Sequence, residues 1–440
     1  MKIDIVRWMR AHKTEIYIFI AAFVVRAIYA LIVQMHAGAD GFIAFSDAKF
    51  FYYREALNLL TGNGFSIASE APYYPGSYHT PVYPLFVATL LFLRVPLLGV
   101  VLVQQGIAAG ICVLFYRTLL KITESRTIAL IAGAIACVEP MSIYWSGLLM
   151  SDTVFAFFMV LSFYFLANKR PVATAFSLGL AALTRPIALY FAPVFLVFVA
   201  YQTFAMTKNL RTAGLNTVLV AVLFAAVISP WFVRNYVVFD TWQFSSASWY
   251  NIYITNMRSF SHDYATVQPE VEQPDRLNTD FQRYNFDYLP AYKAAVLSQI
   301  KQNIPGYAVF EIKRTARAMF SSKYQYIPNQ LIRSEFPWVF QHYRGSLMFL
   351  VAVGDLLWIV AYALVAVAFW NRRLRPWWFF FVALIGINAV LSGMINPWGP
   401  DMTRYSIPFQ GFVFSFACLG ASMLWGESHA KQQKKRFILR

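Results

Sequence analysis

The sequence predicts an all-α polytopic integral membrane protein with about ten or eleven transmembrane helices. Hydrophobic residues make up 59% of the 440 residues and charged residues only 13%, roughly half the charge of an ordinary soluble domain. The apolar residues also gather into runs of about 20, the length that lets an α-helix cross ~30 Å of hydrocarbon. This composition excludes disordered, coiled-coil and collagen-like chains, and it leaves too few charged groups to cover a water-soluble globule.

Ten apolar runs are the predicted crossings, and two long stretches have to be divided. The stretch 83–118 exceeds one helix, so we divide it into a membrane-hugging lead-in at 83–94 and one crossing. The stretch 172–205 is long enough for two crossings, broken around Arg185-Pro186. The runs lie near 16–34, 83–118, 127–145, 150–167, 172–186, 187–205, 213–233, 346–370, 376–394 and 404–425.

The basic residues predict the orientation of these crossings. Cytoplasmic loops of membrane proteins carry an excess of Lys and Arg, and with a cytoplasmic N-terminus every short basic loop of this chain falls on that side. The residues concerned are Lys2, Arg7, Arg10, Lys13, Lys121, Arg126, Lys169, Arg170, Lys208, Arg211, Arg372, Arg373, Arg375, Lys431, Lys434, Lys435, Arg436 and Arg440. The net charge of +16 is therefore assigned to membrane topology, and no nucleic-acid partner is expected.

This topology divides the chain into three parts. Residues 1–233 form an N-terminal transmembrane module with a first outer loop at 35–82, residues 234–345 form an outer-face (periplasmic) segment, and residues 346–440 form C-terminal transmembrane helices with a basic cytoplasmic tail. Residues 1–15 lack a small-residue cleavage site, so the first span is expected to remain as an anchor. The outer segments contain no Asn-x-Ser/Thr sequon, which favours a bacterial inner (plasma) membrane with both termini cytoplasmic.

The first outer loop contains a short amphipathic helix and a turn-rich stretch. The helix is predicted at 46–57, capped by Ser46 and ended by Gly62-Asn63-Gly64, with Asp47 in its first turn near the outer leaflet. The stretch 72–84 is rich in proline and aromatic residues and predicts a rigid rim around a pocket. Taken singly, Asp47 is explained by the helix dipole, and the stretch is explained as a linker.

Charged residues in apolar surroundings predict a site for an anion. Arg185, Arg234 and Arg404 lie at the predicted outer ends of helices, on the same side as Asp47 and Asp152. Each arginine alone is explained by its side chain reaching the lipid headgroups. Three arginines and two carboxylates at one level predict a shared site, because guanidinium groups match phosphate oxygens. A carboxylate beside them could remove a proton from an attacking hydroxyl.

Other chemistries lack the residues that they need. The three cysteines lie in apolar runs and the six histidines are scattered, so neither a disulfide framework nor a metal site is expected. There is no glycine-rich phosphate loop. Arg26 and Asp355 also interrupt apolar runs. They could form a structural pair instead of belonging to the site, and the sequence leaves this choice open.

Short motifs follow one another along most of the chain. They are Ser46-Asp47 ahead of Tyr52 to Ala56, Gly62 to Phe65, Pro81 to Pro84, Glu139-Pro140, Ser146 to Asp152, Gly179 to Pro186, Pro230-Trp231, Arg234-Asn235-Tyr236, and Arg404-Tyr405 with Pro408. In this order they resemble the GT-C class of polytopic glycosyltransferases. Within that class the likeness is to the bacterial relatives of protein O-mannosyltransferases and of aminoarabinose transferase (glycosyltransferase 39 type).

The resemblance implies a GT-C fold with amphipathic juxtamembrane helices in a catalytic first outer loop. It implies inverting transfer of a sugar from a polyprenyl-monophosphate donor to a hydroxyl of a glycan, lipid or protein acceptor at the outer face, with no cofactor or metal. Asp47 would be the general base. The donor phosphate would be held by Arg185, Arg234, Arg404 and His79. The sugar and acceptor pocket would include Tyr52, Tyr78, Tyr83, Asp152, Asn235 and Tyr405.

Two positions depart from the family pattern. His79 stands just before the Pro-x-Tyr-Pro element, where the family often has Lys or Arg, and Asp152 stands where the family usually has Glu. Both changes keep the type of interaction. Because histidine is only partly charged near neutral pH, donor affinity and its pH dependence are open at this point.

Two alternatives predict a different function. An ion-coupled membrane transporter would use Asp47, Asp152 and Asp355 to carry the ion, but it predicts inverted repeats and helices broken at the bilayer midplane, and no repeat is visible in the sequence. A GT-C-fold glycan ligase or polymerase would keep the likeness and transfer a whole polymer. Uptake assays and product analysis distinguish these alternatives from transfer of one sugar.

Overall fold

A computed structural model provides the structure of the chain, and it describes residues 12–45, 47–271, 285–320, 324, 333, 337–395 and 401–438. Within these ranges the side chains of 337, 401–403, 405 and 426–438 are outside the description. The described residues form helices joined by turns, with no β-strand among them. The prediction of an all-α chain is confirmed.

Seventeen α-helices are used below. They are α1 (Lys13–Ala37), α2 (Tyr53–Leu60), α3 (Val82–Phe92), α4 (Leu97–Thr123), α5 (Arg126–Val138), α6 (Pro140–Ser146), α7 (Asp152–Ala167), α8 (Pro171–Thr184), α9 (Ala188–Thr207), α10 (Leu210–Phe239), α11 (Ala247–Asn251), α12 (Arg258–Tyr264), α13 (Leu289–Gln302), α14 (Ile304–Phe320), α15 (Pro337–Ala368), α16 (Arg375–Ile395) and α17 (Asp401–Ile438). Short 3₁₀ or π-helical turns lie at Gly38–Ile43, Ala48–Tyr52, Ile252–Met257 and Phe286–Tyr288.

The long apolar helices make this an integral membrane protein. In the described part of the chain, seven helices are long and apolar enough to cross a membrane, and the pair α5 and α6, bent by 53°, counts as an eighth if it is one broken span. All ten predicted crossings coincide with a helix or with this pair. However, α7 and α8 are shorter, at 16 and 14 residues, or roughly 24 and 21 Å. The coarser prediction of a polytopic protein is therefore confirmed, while the count of ten or eleven crossings stays a prediction.

The two predicted breaks in long apolar stretches are present. The stretch 83–118 is divided into α3 and α4, and the stretch 172–205 into α8 and α9 on either side of Arg185. The predicted boundary at residue 233 falls inside α10, which continues to Phe239. The reason is that Arg234 donates to Asn235 within the helix and Asn235 donates to the carbonyl of Gln243 beyond it, so these polar residues do not end it.

The core is built around α4, which packs against α1, α5 and α7, while α17 packs against α15, α5 and α7. Small residues allow close helix contact, as membrane helices commonly require. A Cβ atom on Gly179 would lie 2.6 Å from Val227 on α10, and one on Gly420 would collide with the backbone of Leu364 on α15. These contacts between helices position the helix ends at which the candidate site is assembled.

Arg26 stabilises the bend between α5 and α6. Its side chain is fully buried, and its guanidinium donates to the carbonyl oxygens of Ala136 and Cys137 and to the hydroxyl of Ser142, each at 3.0 Å. These carbonyls belong to the last turn of α5, which has no helical partners for them. Arg26 therefore binds the end of α5. Its described hydrogen bonds go to groups other than Asp355, the partner that the sequence left open.

The two predicted outer segments pack against each other. The backbone amide of Ser246 donates to the carbonyl of Ser77 at 3.0 Å, and the hydroxyl of Ser245 donates to the carbonyl of Tyr78 at 2.6 Å. The residues after α10 therefore close over the turn-rich part of the first outer loop. The predicted helix around 46–57 is present as a π-helical turn followed by α2, and Ser46, its predicted cap, lies outside the described residues.

Candidate functional site

A cavity of about 630 Å³ lies between the first outer loop, the segment 243–252 and the ends of α8, α16 and α17. Six residues predicted for the site line it: Asp47, Tyr52, Tyr78, His79, Arg185 and Arg404. The lining also includes apolar side chains, among them Ile187, Leu189, Leu391, Met394 and Ile395. The cavity therefore combines charged and apolar lining residues.

Four charged side chains alternate in sign beside the cavity, and three of them line it: Asp47, Arg185 and Arg404. The Nε atom of Arg404 lies 3.1 Å from both carboxylate oxygens of Asp152, and its Nη2 atom lies 3.5 Å from Oδ2 of Asp47. Arg185 forms an ion pair with the same Asp152. The resulting order is Asp47, Arg404, Asp152, Arg185, which brings two of the three predicted arginines and both predicted carboxylates together.

Each of these four side chains belongs to a residue at the end of a helix or next to it. Asp47 precedes the π-helical turn Ala48–Tyr52, and Asp152 is the first residue of α7. Arg185 caps the C-terminus of α8 in an extended conformation, at the break before Pro186. Arg404 lies in the first turn of α17. Because each side chain starts from the end of a different element, small shifts between helices would change the whole arrangement.

The two carboxylates have different surroundings. Asp152 is 2% exposed and has an arginine on each side, so its charge is neutralised and its oxygens are occupied. The side chain of Asp47 is 34% exposed, and its Oδ2 atom lies 3.5 Å from both Nη atoms of Arg404. Asp47 is consequently the carboxylate that is accessible to a proton donor from the cavity, whereas Asp152 holds the two arginines in place.

The guanidinium of Arg404 is also enclosed by aromatic rings. It is 3% exposed, and its central carbon lies 5.3 Å from the ring centre of Trp145 and 5.8 Å from that of Phe45. Cation–π contacts of this kind stabilise a desolvated guanidinium. Arg404 is thus fixed in position before any ligand arrives.

Tyr52, Tyr78 and His79 form an aromatic corner of the cavity. The Tyr52 hydroxyl is 2.8 Å from Oγ of Ser151, and its ring centre is 4.3 Å from that of His79. Burial raises the pKa of Tyr52, so its phenol stays protonated and remains a hydrogen-bond donor. Tyr78 donates its hydroxyl hydrogen to Oδ1 of Asn251 at 2.9 Å, which links this corner to the outer segment.

Glu55 is a site residue that the sequence analysis missed. It is fully buried, and Oε1 lies 3.2 Å from Nδ1 of His79. The pair holds one ring nitrogen of His79, whose side chain lines the cavity. The available signal was the helical spacing of Tyr52, Glu55 and Leu59, which puts a carboxylate on the buried face of an amphipathic helix.

Three other predicted residues support the walls of the cavity without lining it. Tyr83 is fully buried beneath Tyr52 and donates to Oε1 of Gln104 at 2.8 Å. Asn235 donates to the carbonyl of Gln243, which lies in the cavity wall. Arg234 does not line the cavity, and its role in the site stays a prediction: its guanidinium lies over the rings of Trp231 and Phe239 and donates to Asn235 at 2.9 Å.

The remaining predicted residue is Tyr405, whose side chain falls outside the described part. Among the residues described, no group of three or more His, Cys, Asp or Glu side chains is placed to hold a metal ion.

Comparisons with known proteins give no relative for this chain. No family model matches it, and neither the curated proteins nor the solved structures contain a match. The geometry of the cavity is therefore the basis for the functional argument.

Proposed function

We propose that this chain is an inverting glycosyltransferase of the GT-C class. It would move a sugar from a polyprenyl-monophosphate donor to a hydroxyl acceptor, with Asp47 as the general base. The observation that carries this proposal is the accessible carboxylate of Asp47 beside the fixed arginines Arg404 and Arg185 in the lining of one cavity.

The shape of the cavity suits an amphiphilic donor. A polyprenyl phosphate sugar joins an apolar chain to an anionic head, and the cavity is lined by apolar side chains together with two arginines. Leu189, Leu391 and Met394 would contact the first isoprene units, and Arg185 and Arg404 would hold the phosphate. Guanidinium groups bind phosphate oxygens through paired, charge-assisted hydrogen bonds.

The proposed reaction is a single displacement. The Asp47 carboxylate accepts the proton of the acceptor hydroxyl, whose oxygen attacks the anomeric carbon from the side opposite the phosphate. The bond between the anomeric carbon and the phosphate oxygen breaks, and its electron pair leaves with the phosphate. The leaving group changes from a phosphodiester monoanion to a monophosphate dianion, so it needs no general acid.

The arginines would stabilise the charge that develops on the leaving group. Asp152 keeps Arg185 and Arg404 oriented before the donor binds, and preorganised groups of this kind contribute most where charge increases in the transition state. His79, oriented by Glu55, would add a further donor to the phosphate or the sugar.

The location of the reaction follows from the basic loops. With these loops in the cytoplasm, both termini are cytoplasmic and the cavity opens at the outer face. We place the protein in a bacterial inner membrane, where it would act on a glycan, lipid or protein hydroxyl without a cofactor.

The direct test is transfer by the Asp47→Asn variant. Proteoliposomes receive a panel of polyprenyl-phosphate monosaccharides, and the release of free polyprenyl phosphate is measured because it reports turnover for any sugar. We expect a loss of about 10²–10⁴-fold for Asp47→Asn with donor binding retained. The matched control is Asp40→Asn, which changes an exposed aspartate of the same loop and is expected to leave turnover unchanged.

Several outcomes would contradict the proposal. Turnover at the wild-type rate in Asp47→Asn would remove Asp47 from the chemistry. Ion-dependent uptake into the vesicles without release of polyprenyl phosphate would favour a transporter. A product that carries a whole polymer would favour a glycan ligase or polymerase.

A further inference from the structure

A second cavity lies in the outer segment, apart from the site described above. Its volume is about 400 Å³, and it is located between α12 and α14. All of its lining residues are polar, and none of them lines the first cavity: Arg258, Ser259, His262, Asp263, Arg314 and Arg317. A lining of this kind accepts a charged ligand more readily than an apolar one.

Arg314 keeps one hydrogen-bond donor without a partner beside this cavity, although the central carbon of its guanidinium also lies 4.9 Å from the ring centre of Phe310. It is 1% exposed, and its Nε atom donates to the carbonyl of Gly393 on α16 at 2.8 Å. Its Nη2 atom has no hydrogen-bond partner among the described residues. A buried guanidinium with an unused donor is costly, so an acceptor supplied from outside the chain would satisfy it.

The charge on the cavity lining is positive. Three guanidinium groups line it, against the single carboxylate of Asp263, which lies 3.1 Å from Nδ1 of His262. The neighbouring carboxylate of Glu311 accepts a hydrogen bond from Asn256 and does not line the cavity. The excess of positive charge favours an anion with several acceptor oxygens.

The surroundings indicate where this anion comes from. Three apolar side chains on α14, the helix that carries Arg314, are exposed: Val309 by 47%, Ile312 by 69% and Phe320 by 55%. An exposed apolar row beside basic residues is typical of helices that lie at a membrane surface. We propose that the second cavity binds the phosphate of a membrane-surface headgroup, either of an anionic phospholipid or of a phosphorylated glycolipid. The proposal is independent of sugar transfer.

The test compares two pairs of charge-neutralising substitutions in the full-length protein. Arg258→Gln with Arg317→Gln removes two guanidinium groups of the cavity, and Arg314 is left intact because its loss could prevent folding. The control, Lys301→Gln with Lys313→Gln, removes the same charge from exposed lysines of α13 and α14 that do not line the cavity. The protein is reconstituted in phosphatidylcholine nanodiscs with and without phosphatidylglycerol, and native mass spectrometry measures retained phosphatidylglycerol.

A second arm measures binding of radiolabelled inorganic phosphate by equilibrium dialysis. Each guanidinium should contribute about tenfold, so the cavity variant should bind about 100-fold more weakly, whereas the control should change by at most about fivefold. Binding of phosphatidylglycerol identifies a phosphodiester headgroup, and binding of inorganic phosphate alone identifies a phosphomonoester.

Two results would overturn the proposal: no binding in either arm by the wild type, or equal losses in the cavity variant and the control. Sugar transfer by the Arg258→Gln with Arg317→Gln variant should stay at the wild-type rate, which separates this site from the proposed transferase.

Discussion

Loss of the Asp152 charge should destabilise the protein more than any other single carboxylate substitution near the cavity. Both oxygens of Asp152 accept from Nε of Arg404 at 3.1 Å, and the side chain also pairs with Arg185. Charge-assisted hydrogen bonds contribute about 1.5–3 kcal/mol each. Asp152→Asn would leave two arginines facing each other without their shared anion, so we expect a loss of about 3–5 kcal/mol in the free energy of unfolding.

The measurement is an unfolding titration with dodecyl sulfate in mixed micelles, followed by circular dichroism. The matched control is Asp240→Asn, which makes the same substitution at an exposed position with a left-handed backbone and should change stability by less than about 0.5 kcal/mol. Adding Arg185→Gln to Asp152→Asn should recover about 0.5–3 kcal/mol, because one uncompensated charge is removed. If Asp152→Asn unfolds like the control, the assignment of Asp152 as the anchor of both arginines is refuted.

Two further substitutions test the supporting residues. Arg26→Met should destabilise the chain by at least about 2 kcal/mol, because it removes the donors for two carbonyls at the end of α5; an unchanged unfolding titration would contradict the role given to Arg26. Glu55→Gln should keep the fold and lower sugar transfer by about tenfold, because the contact that orients His79 weakens. Turnover at the wild-type rate would contradict the role given to the pair of Glu55 and His79.

The sequence was sufficient to locate the helices. Nine of the ten apolar runs coincide with a helix or with the bent pair α5 and α6, the run 83–118 covers α3 and α4, and the division of 172–205 falls at Arg185 as expected. These features depend on composition and on residues that are close along the chain, such as an apolar run of sufficient length or a proline after Arg185. The charged residues of the cavity were likewise detectable, because isolated charges are conspicuous in apolar runs.

The sequence could not determine which charged residues meet. Arg404 contacts Asp152 across 252 positions and Asp47 across 357, whereas Arg234, which follows an equally apolar run, turns to the aromatic rings at the end of its own helix. Nothing in the local sequence distinguishes Arg404 from Arg234. The contacts of Arg404 depend on the crossing of helices that are distant in the sequence.

The same limit explains Glu55 and Arg314. Glu55 lies on the buried face of a recognisable amphipathic helix, yet its partner His79 comes from a separate part of the loop. Arg314 is buried only because α14 packs against α16 at Gly393. The sequence by itself determined that the chain is helical, membrane-embedded and equipped with isolated charges. Only the tertiary structure decided which charges are neutralised and which face a cavity, because neutralisation depends on contacts of a few ångströms between helices that local sequence does not bring together.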